Sequence, residues 1–201
     1  ISTQIDVAFE ITEAPNAPEL VGAYAVIWTT TPWTIPTNQG IAYGEEIEYV
    51  VMVAADGRRF LVADALKSAF LSRHSRESGN PDTAAELDPR VRGDDEIVWR
   101  GKGTALAGAT ARHPIANLLV TPGLTRGPAS SSGADENSGA PDQVRGDEGK
   151  NTLHPSSPLA EFFLRPRPFL PAPHVTTDAG TGLVHMAPDH GEEDFLACKP
   201  L

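Results

Sequence analysis

Residues 48–63 read "EYVVMVAADGRRFLVA". The two halves, 48–54 and 58–63, are short runs of Val, Tyr, Phe and Leu, residue types that suit a pleated, buried surface, and Asp56-Gly57 between them is a hairpin signal. The stretch reads as two antiparallel strands, and its pattern recurs in "AYAVIWTT" (23–30), "EIVWRGKG" (96–103) and "GLVHMA" (182–187). Helical spacing is confined to short pieces. "ADALKSAFL" (63–71) aligns Leu66, Ala69 and Phe70 on one helical face. "PDHGEEDFLACK" (188–199) reads as a helix start with Asp189 as cap and three acids in the first turn, where the helix dipole favours them. Eighteen prolines and eighteen glycines place turns between the runs. The pattern predicts a mainly β fold, a barrel-like core with a few peripheral α-helices, and not a doubly wound sheet.

The 201 residues are expected to form one domain, 1–201, carrying two inserts at 72–96 and 125–152. Both are rich in Ser, Gly, Asp, Pro and Arg and poor in the aliphatics that offset the entropy of ordering, so they read as disordered surface loops. They echo each other in Ser78-Gly79-Asn80-Pro81-Asp82 against Ser138-Gly139-Ala140-Pro141-Asp142, and in two Val-Arg-Gly-Asp runs, 91–94 and 144–147. Arg-Gly-Asp suggests adhesion only in a secreted setting. A single cysteine, Cys198, excludes an internal disulfide, and no charged-then-apolar leader opens the sequence, so a cytoplasmic setting is expected and the tripeptides read as solvated charge. No apolar run is long enough to cross a bilayer. The formal charge of −11 is the wrong sign for gripping nucleic acid through its phosphates, so a nucleic-acid partner must be held elsewhere or touched only at its end. The inserts contribute to that acidity, with four arginines against seven acids in the first and three cations against five acids in the second.

Two stretches concentrate polar groups without an evident core role. In "WTTTPWTIPTN" (28–38), Thr29, Thr30 and Thr31 close an apolar strand; alternation sends Thr29 and Thr31 to one face and Thr30 to the other, and Pro32 stops the ladder. The row is either β-branched strand filler or a set of hydroxyls that hold a small polar substrate or a water. In "DAGTGLVHMAPDHGEEDF" (178–195), Gly180, Thr181 and Gly182 allow a tight turn that approaches a ligand closely, a strand then ends at His185, and Asp194 lies in the following helix. A histidine and a carboxylate converging on one pocket suit an ammonium group, a water or a metal. His185, Asp189, His190, Glu192, Glu193 and Asp194 lack any metal-ligand spacing, so no metal is assigned. A phosphate-cradling glycine loop and a nucleophilic-serine elbow are both missing, and Cys198 lies in an apolar helical context that favours burial.

Together "WTTTPWTIPTN" and "HVTTDAGTGLVHMAPDHGEEDF" resemble the editing domain of isoleucyl-tRNA synthetase, and "GTALAGATARHP" (103–114) is similar to a further segment of that family. The sister valyl and leucyl enzymes typically have Thr-Thr-Arg-Pro and an acid where this sequence has Thr30-Thr31-Pro32-Trp33. The resemblance implies that Thr29, Thr30 and Thr31 position an ester and the attacking water. It implies that Asp194 anchors the substrate's α-ammonium, that His185 excludes isoleucine, and that Trp33, Asn38 and the Gly180–Gly182 turn complete the pocket. Asp189 departs from the small residue common there.

The implied reaction is hydrolysis of valine from mischarged tRNA(Ile), with valyl-adenylate as a further substrate, in the service of translation fidelity. A pocket for isoleucine cannot strongly reject valine, because one methylene is worth only ~1–3 kcal/mol, the isoleucyl enzyme being the standing illustration of this limit; a second, smaller site supplies the rest. The partners implied are the 3′ end of the tRNA and the remainder of a synthetase chain, with no membrane and a monomeric state. No cofactor is implied for this domain, since ATP and Mg belong to a catalytic domain whose signatures are missing here. Two rivals stay open: an editing domain of a sister enzyme clearing threonine, and a non-catalytic module that binds aminoacyl adenosine.

Overall fold

The computed structural model describes residues 4–54, 56–74, 96–119 and 157–199. Most of both expected inserts, including the Arg-Gly-Asp runs, lies outside the described residues. The insert assigned to 72–96 nevertheless begins later than the composition suggests: Ser72, Arg73 and His74 close a helix, and Arg73 and His74 both reach Asp6.

Nine strands form one mixed sheet: β1 (Ile5–Glu13), β2 (Tyr24–Thr29), β3 (Gly40–Tyr43), β4 (Glu48–Val53), β5 (Arg59–Ala63), β6 (Ile97–Lys102), β7 (Thr110–Arg112), β8 (Arg167–Pro171) and β9 (Leu183–Met186). Their order is β6-β4-β5-β2-β1-β7-β8-β3-β9. The pairs β2/β5 and β3/β8 are parallel and the remaining pairs are antiparallel, which suits hairpin-rich β architecture rather than crossover units. The hairpin at 48–63 forms as read, Tyr49 facing Ala63 and Val53 facing Arg59, with Gly57 in the left-handed region its turn requires. The sheet curls so that β9, last in the ladder, packs beside β2.

Burial explains the curl. All of Tyr49, Val50, Val51 and Met52 are buried, so β4 is covered on both faces. Tyr49 and Val51 enter the main core with Phe9, Ile27, Ile41, Tyr43 and Leu61. Val50 and Met52 face outward, where Phe70 of α1 (Lys67–His74) covers them together with Val26 and Val62. On the far side, Cys198 of α4 (Glu192–Cys198) packs with Ala42, Val175 and Met186 against β3 and β9. A buried Phe contributes roughly 2 kcal/mol, so Phe70, with Leu71 beside it, is the main anchor of α1, while α4 is held by the smaller Cys198 and Ala197. Ala69, expected beside Leu66 and Phe70, is exposed; Leu71 takes its place against the outer cluster because the first residues, Asp64–Leu66, wind as a 3₁₀ turn and shift the helical phase. Shorter helices α2 (Ala116–Leu119) and α3 (Pro158–Leu164) complete the fold.

Candidate functional site

The threonine row sits where β2 runs out. Thr29 is the last residue of the strand and is buried; its Oγ1 accepts the Thr31 N–H at 3.0 Å and lies 3.1 Å from Thr31 Oγ1. Thr29 and Thr31 thus share a side, as alternation requires, with Thr30 half-buried between them. Pro32 then opens a 3₁₀ run, Pro32–Thr37, whose hydroxyls bond back to the preceding turn: Thr34 Oγ1 donates to Thr31 O at 2.8 Å and Thr37 Oγ1 to Thr34 O at 2.9 Å. Asn38 closes the segment fully buried, its Nδ2 donating to Gly40 O at 2.8 Å and its Oδ1 left without a partner.

His185 comes from β9, opposite Ile41 of β3. Its Nε2 meets Thr34 Oγ1 at 2.9 Å, a contact between residues 151 apart in sequence that joins the two polar stretches directly. The protons can be assigned. Thr34 has one hydroxyl proton and uses it on Thr31 O, so it must accept from His185, which places the imidazole proton on Nε2. Nδ1 is then a bare acceptor, and it is buried with no partner. Burial lowers the His185 pKa below the ordinary histidine value, with Asp194 acting in the opposite sense and His190 in the same one, so the ring is neutral at pH 7.

Asp194 lies in the first turn of α4 together with Glu192 and Glu193, as read. The cap does not follow the reading. Pro188–His190 forms a separate 3₁₀ turn, Gly191 occupies the N-cap, and Asp189 caps nothing. Pro188 and Gly191 interrupt what the periodicity joined into one start. Asp194 Oδ2 instead accepts the Ala187 N–H at 2.9 Å, so the carboxylate is tied to the end of the strand that carries His185.

The Gly180–Gly182 turn has Gly180 and Gly182 both at positive φ, and a Cβ on Gly182 would fall 2.4 Å from Ala63 Cβ. Its backbone is fixed by Ala63 N–H on Thr181 O at 2.8 Å and by the Tyr49 hydroxyl on Gly182 O at 2.7 Å. Thr181 is buried and donates to Leu183 O, so its side chain faces the interior. Trp33 is 69% exposed. A cavity of about 300 Å³ is lined by Gln4, Ile5, Asp6, Trp28, Arg73 and His74, and none of the threonine row, His185 or Asp194 lines it. Among the described residues, no three His, Cys, Asp or Glu side chains converge as metal ligands. Burial raises the Cys198 thiol's pKa, so it stays protonated.

Isoleucine–tRNA ligase of Zymomonas mobilis is 42% identical over 198 residues, which is 98% of this chain and 15% of that protein. This chain is homologous to a segment of isoleucine–tRNA ligases. The Gluconobacter oxydans ligase is 36% identical and the Nocardia farcinica ligase 31% identical, over 98% and 97% of the chain. The chain thus spans about 15% of the length of these ligases. Among solved structures, the crystal structure of GlLeuRS-CP1 superposes with a TM-score of 0.50 at 14% identity, covering 87% of this chain and 42% of that one, so the two share a fold. No family model matches.

Thr34 was not legible as a site residue. The available signal was a hydroxyl three residues after Thr31 inside a turn bracketed by Pro32 and Pro36, where a back-bond to Thr31 O is the expected geometry. Its second partner, His185, is supplied by tertiary structure alone.

Proposed function

We propose that this chain is the ester-hydrolysing part of an isoleucine–tRNA ligase, removing valine from the 3′ end of mischarged tRNA. The observation that carries this reading is the Thr34–His185 bond, which leaves an unpartnered buried acceptor at His185 Nδ1, with the Asp194 carboxylate held at the end of the same strand. An aminoacyl ester is activated enough to need only a positioned water, oxyanion donors and a fixed substrate. Hydroxyls of Thr29, Thr30 and Thr31 orient the water and the ester carbonyl; the water oxygen attacks, the carbonyl–ribose bond breaks, and the ribose hydroxyl regains a proton. Asp194 has one oxygen on Ala187 N–H and the other for the substrate ammonium, a charge-assisted pairing. The neutral His185 ring, fixed by Thr34, forms the wall that admits valine and excludes one more methylene. Trp33, Asn38 and the Gly180, Thr181 and Gly182 turn flank that pocket.

The strongly acidic chain then needs to receive only the single-stranded tRNA end, the body being held by the rest of the synthetase. ATP and Mg act in that remaining part and no cofactor is required here. The enzyme works in the cytoplasm, and valyl-adenylate is a further substrate of the same site. The test is deacylation of valyl-tRNA by the full-length chain with Asp194→Ala. Loss of at least about tenfold in rate is expected, a tenfold loss corresponding to ~1.4 kcal/mol; an unchanged rate refutes the ammonium role, and a wild type that binds valyl-tRNA without cleaving it refutes hydrolysis.

A further inference from the structure

His113 lies between β7 and α2, in the "RHP" segment whose side chains the proposed chemistry does not use. It is fully buried, its ring set edge-on to Phe9 of β1 at 5.7 Å and against Phe163 of α3 at 5.1 Å. Both ring nitrogens are engaged. Ile115 N–H donates to Nδ1 at 3.1 Å, so the proton sits on Nε2, which meets Ile35 O at 2.9 Å. Ile35 follows Thr34, and its carbonyl also receives Asn38 N–H at 3.0 Å.

That turn therefore takes a second donor, from outside itself, on a carbonyl its own backbone already bonds. Pro36 lies inside the Pro32–Thr37 run and has no N–H, so the run lacks one of the backbone bonds its length would otherwise give, and Pro32 at its start costs none. The His113 donor fixes the Ile35–Pro36 peptide plane, the second plane after Thr34. We propose that His113 is a positioning residue for the site: by holding the Ile35 carbonyl it sets the Pro-bracketed turn and keeps Thr34 within bonding distance of His185. Burial supports the arrangement, because it lowers the His113 pKa to about 4 and holds the ring in the neutral form that donates at one nitrogen and accepts at the other.

The inference rests on the hydrolytic reading for its kinetic test, and a pair of substitutions separates a positioning role from a local one. His113→Gln keeps a donor at the reach of Nε2 and loses the acceptor for Ile115 N–H; His113→Asn keeps that acceptor and cannot reach Ile35. In the full-length chain, positioning predicts that the Gln variant cleaves valyl-tRNA within about threefold of wild type, while the Asn variant loses about tenfold or more in kcat with KM little changed. Equal activities, or an active Asn variant beside an impaired Gln variant, overturn the proposal. The ¹⁵N resonance of His185 Nε2 in the 201-residue chain gives a readout that does not need hydrolysis: it should move in the Asn variant and hold in the Gln variant. If the wild type cleaves neither valyl- nor isoleucyl-tRNA, the reading of function fails and this resonance decides the positioning claim, no movement in either variant refuting it.

Discussion

Replacing Thr34 by valine keeps the β-branched shape and removes one oxygen. That oxygen makes two bonds, donating to Thr31 O at 2.8 Å and accepting from His185 Nε2 at 2.9 Å. The two losses are unequal. Thr31 O keeps a second donor, the Thr34 N–H at 3.0 Å, whereas His185 Nε2–H is left with nothing in a buried setting where Nδ1 already lacks a partner. Orphaning a buried donor costs ~1–3 kcal/mol, and loss of the back-bond adds roughly half to one more, so Thr34→Val should destabilise the chain by about 1.5–4 kcal/mol. Urea denaturation at pH 7, where His185 is neutral, measures this as a lower midpoint at unchanged slope. The ring should also lose its fixed tautomer, visible as converging Nδ1 and Nε2 ¹⁵N shifts. A destabilisation under about 0.5 kcal/mol with the tautomer intact would show that Thr34 does not govern His185.

Gly182→Ala should cost about 3 kcal/mol or more in the same denaturation experiment, from ~1–2 kcal/mol for the left-handed backbone at φ 77 and the rest from overlap with Ala63 Cβ at 2.4 Å; a cost below about 1 kcal/mol would show that the turn relaxes freely. Stability should fall on acidification between pH 6.5 and about 4, because the unfolded chain protonates His113 near 6.5 while burial delays this to about 4 in the folded state. The contribution is fully present above 6.5 and is lost as pH falls through that window, amounting to about 3 kcal/mol, with His185 shifting in the same direction. His113→Gln should flatten the profile, and a wild-type profile that is already flat refutes the assignment. His185→Ala should open the pocket wall, so the full-length variant should begin to cleave isoleucyl-tRNA; unchanged selectivity would remove His185 from size exclusion.

The mainly β character was legible because β4 and β5 carry continuous buried apolar runs around Asp56-Gly57, and a two-residue turn signal sets their pairing locally. Strands β1, β3, β7 and β8 were not singled out. Residues 40–43 begin with glycine, and 167–171 include two prolines, so local propensity is weak and pairing with β9 and β7 supplies the strand. At the site, chemistry-bearing residue types marked His185 and Asp194, and strand alternation placed Thr29 with Thr31. What local sequence does not encode is the closure between segments about 150 residues apart. The Thr34–His185 bond spans 151 residues and the His113–Ile35 bond 78, and both depend on how the Pro-bracketed turn meets its neighbours, whereas the Asp194–Ala187 bond is local, spanning seven. Asp189 shows the reverse case, where an acid in a good cap position is passed over because Gly191 breaks the run first.

The proposed hydrolytic pocket joins the threonine row to the His185–Asp194 strand end. It is tested most directly by the rates at which the wild-type full-length chain releases valine from valyl-tRNA and isoleucine from isoleucyl-tRNA under the same conditions. Rapid loss of valine with isoleucine retained is the expected result; release of both at similar rates, or of neither, would contradict the account.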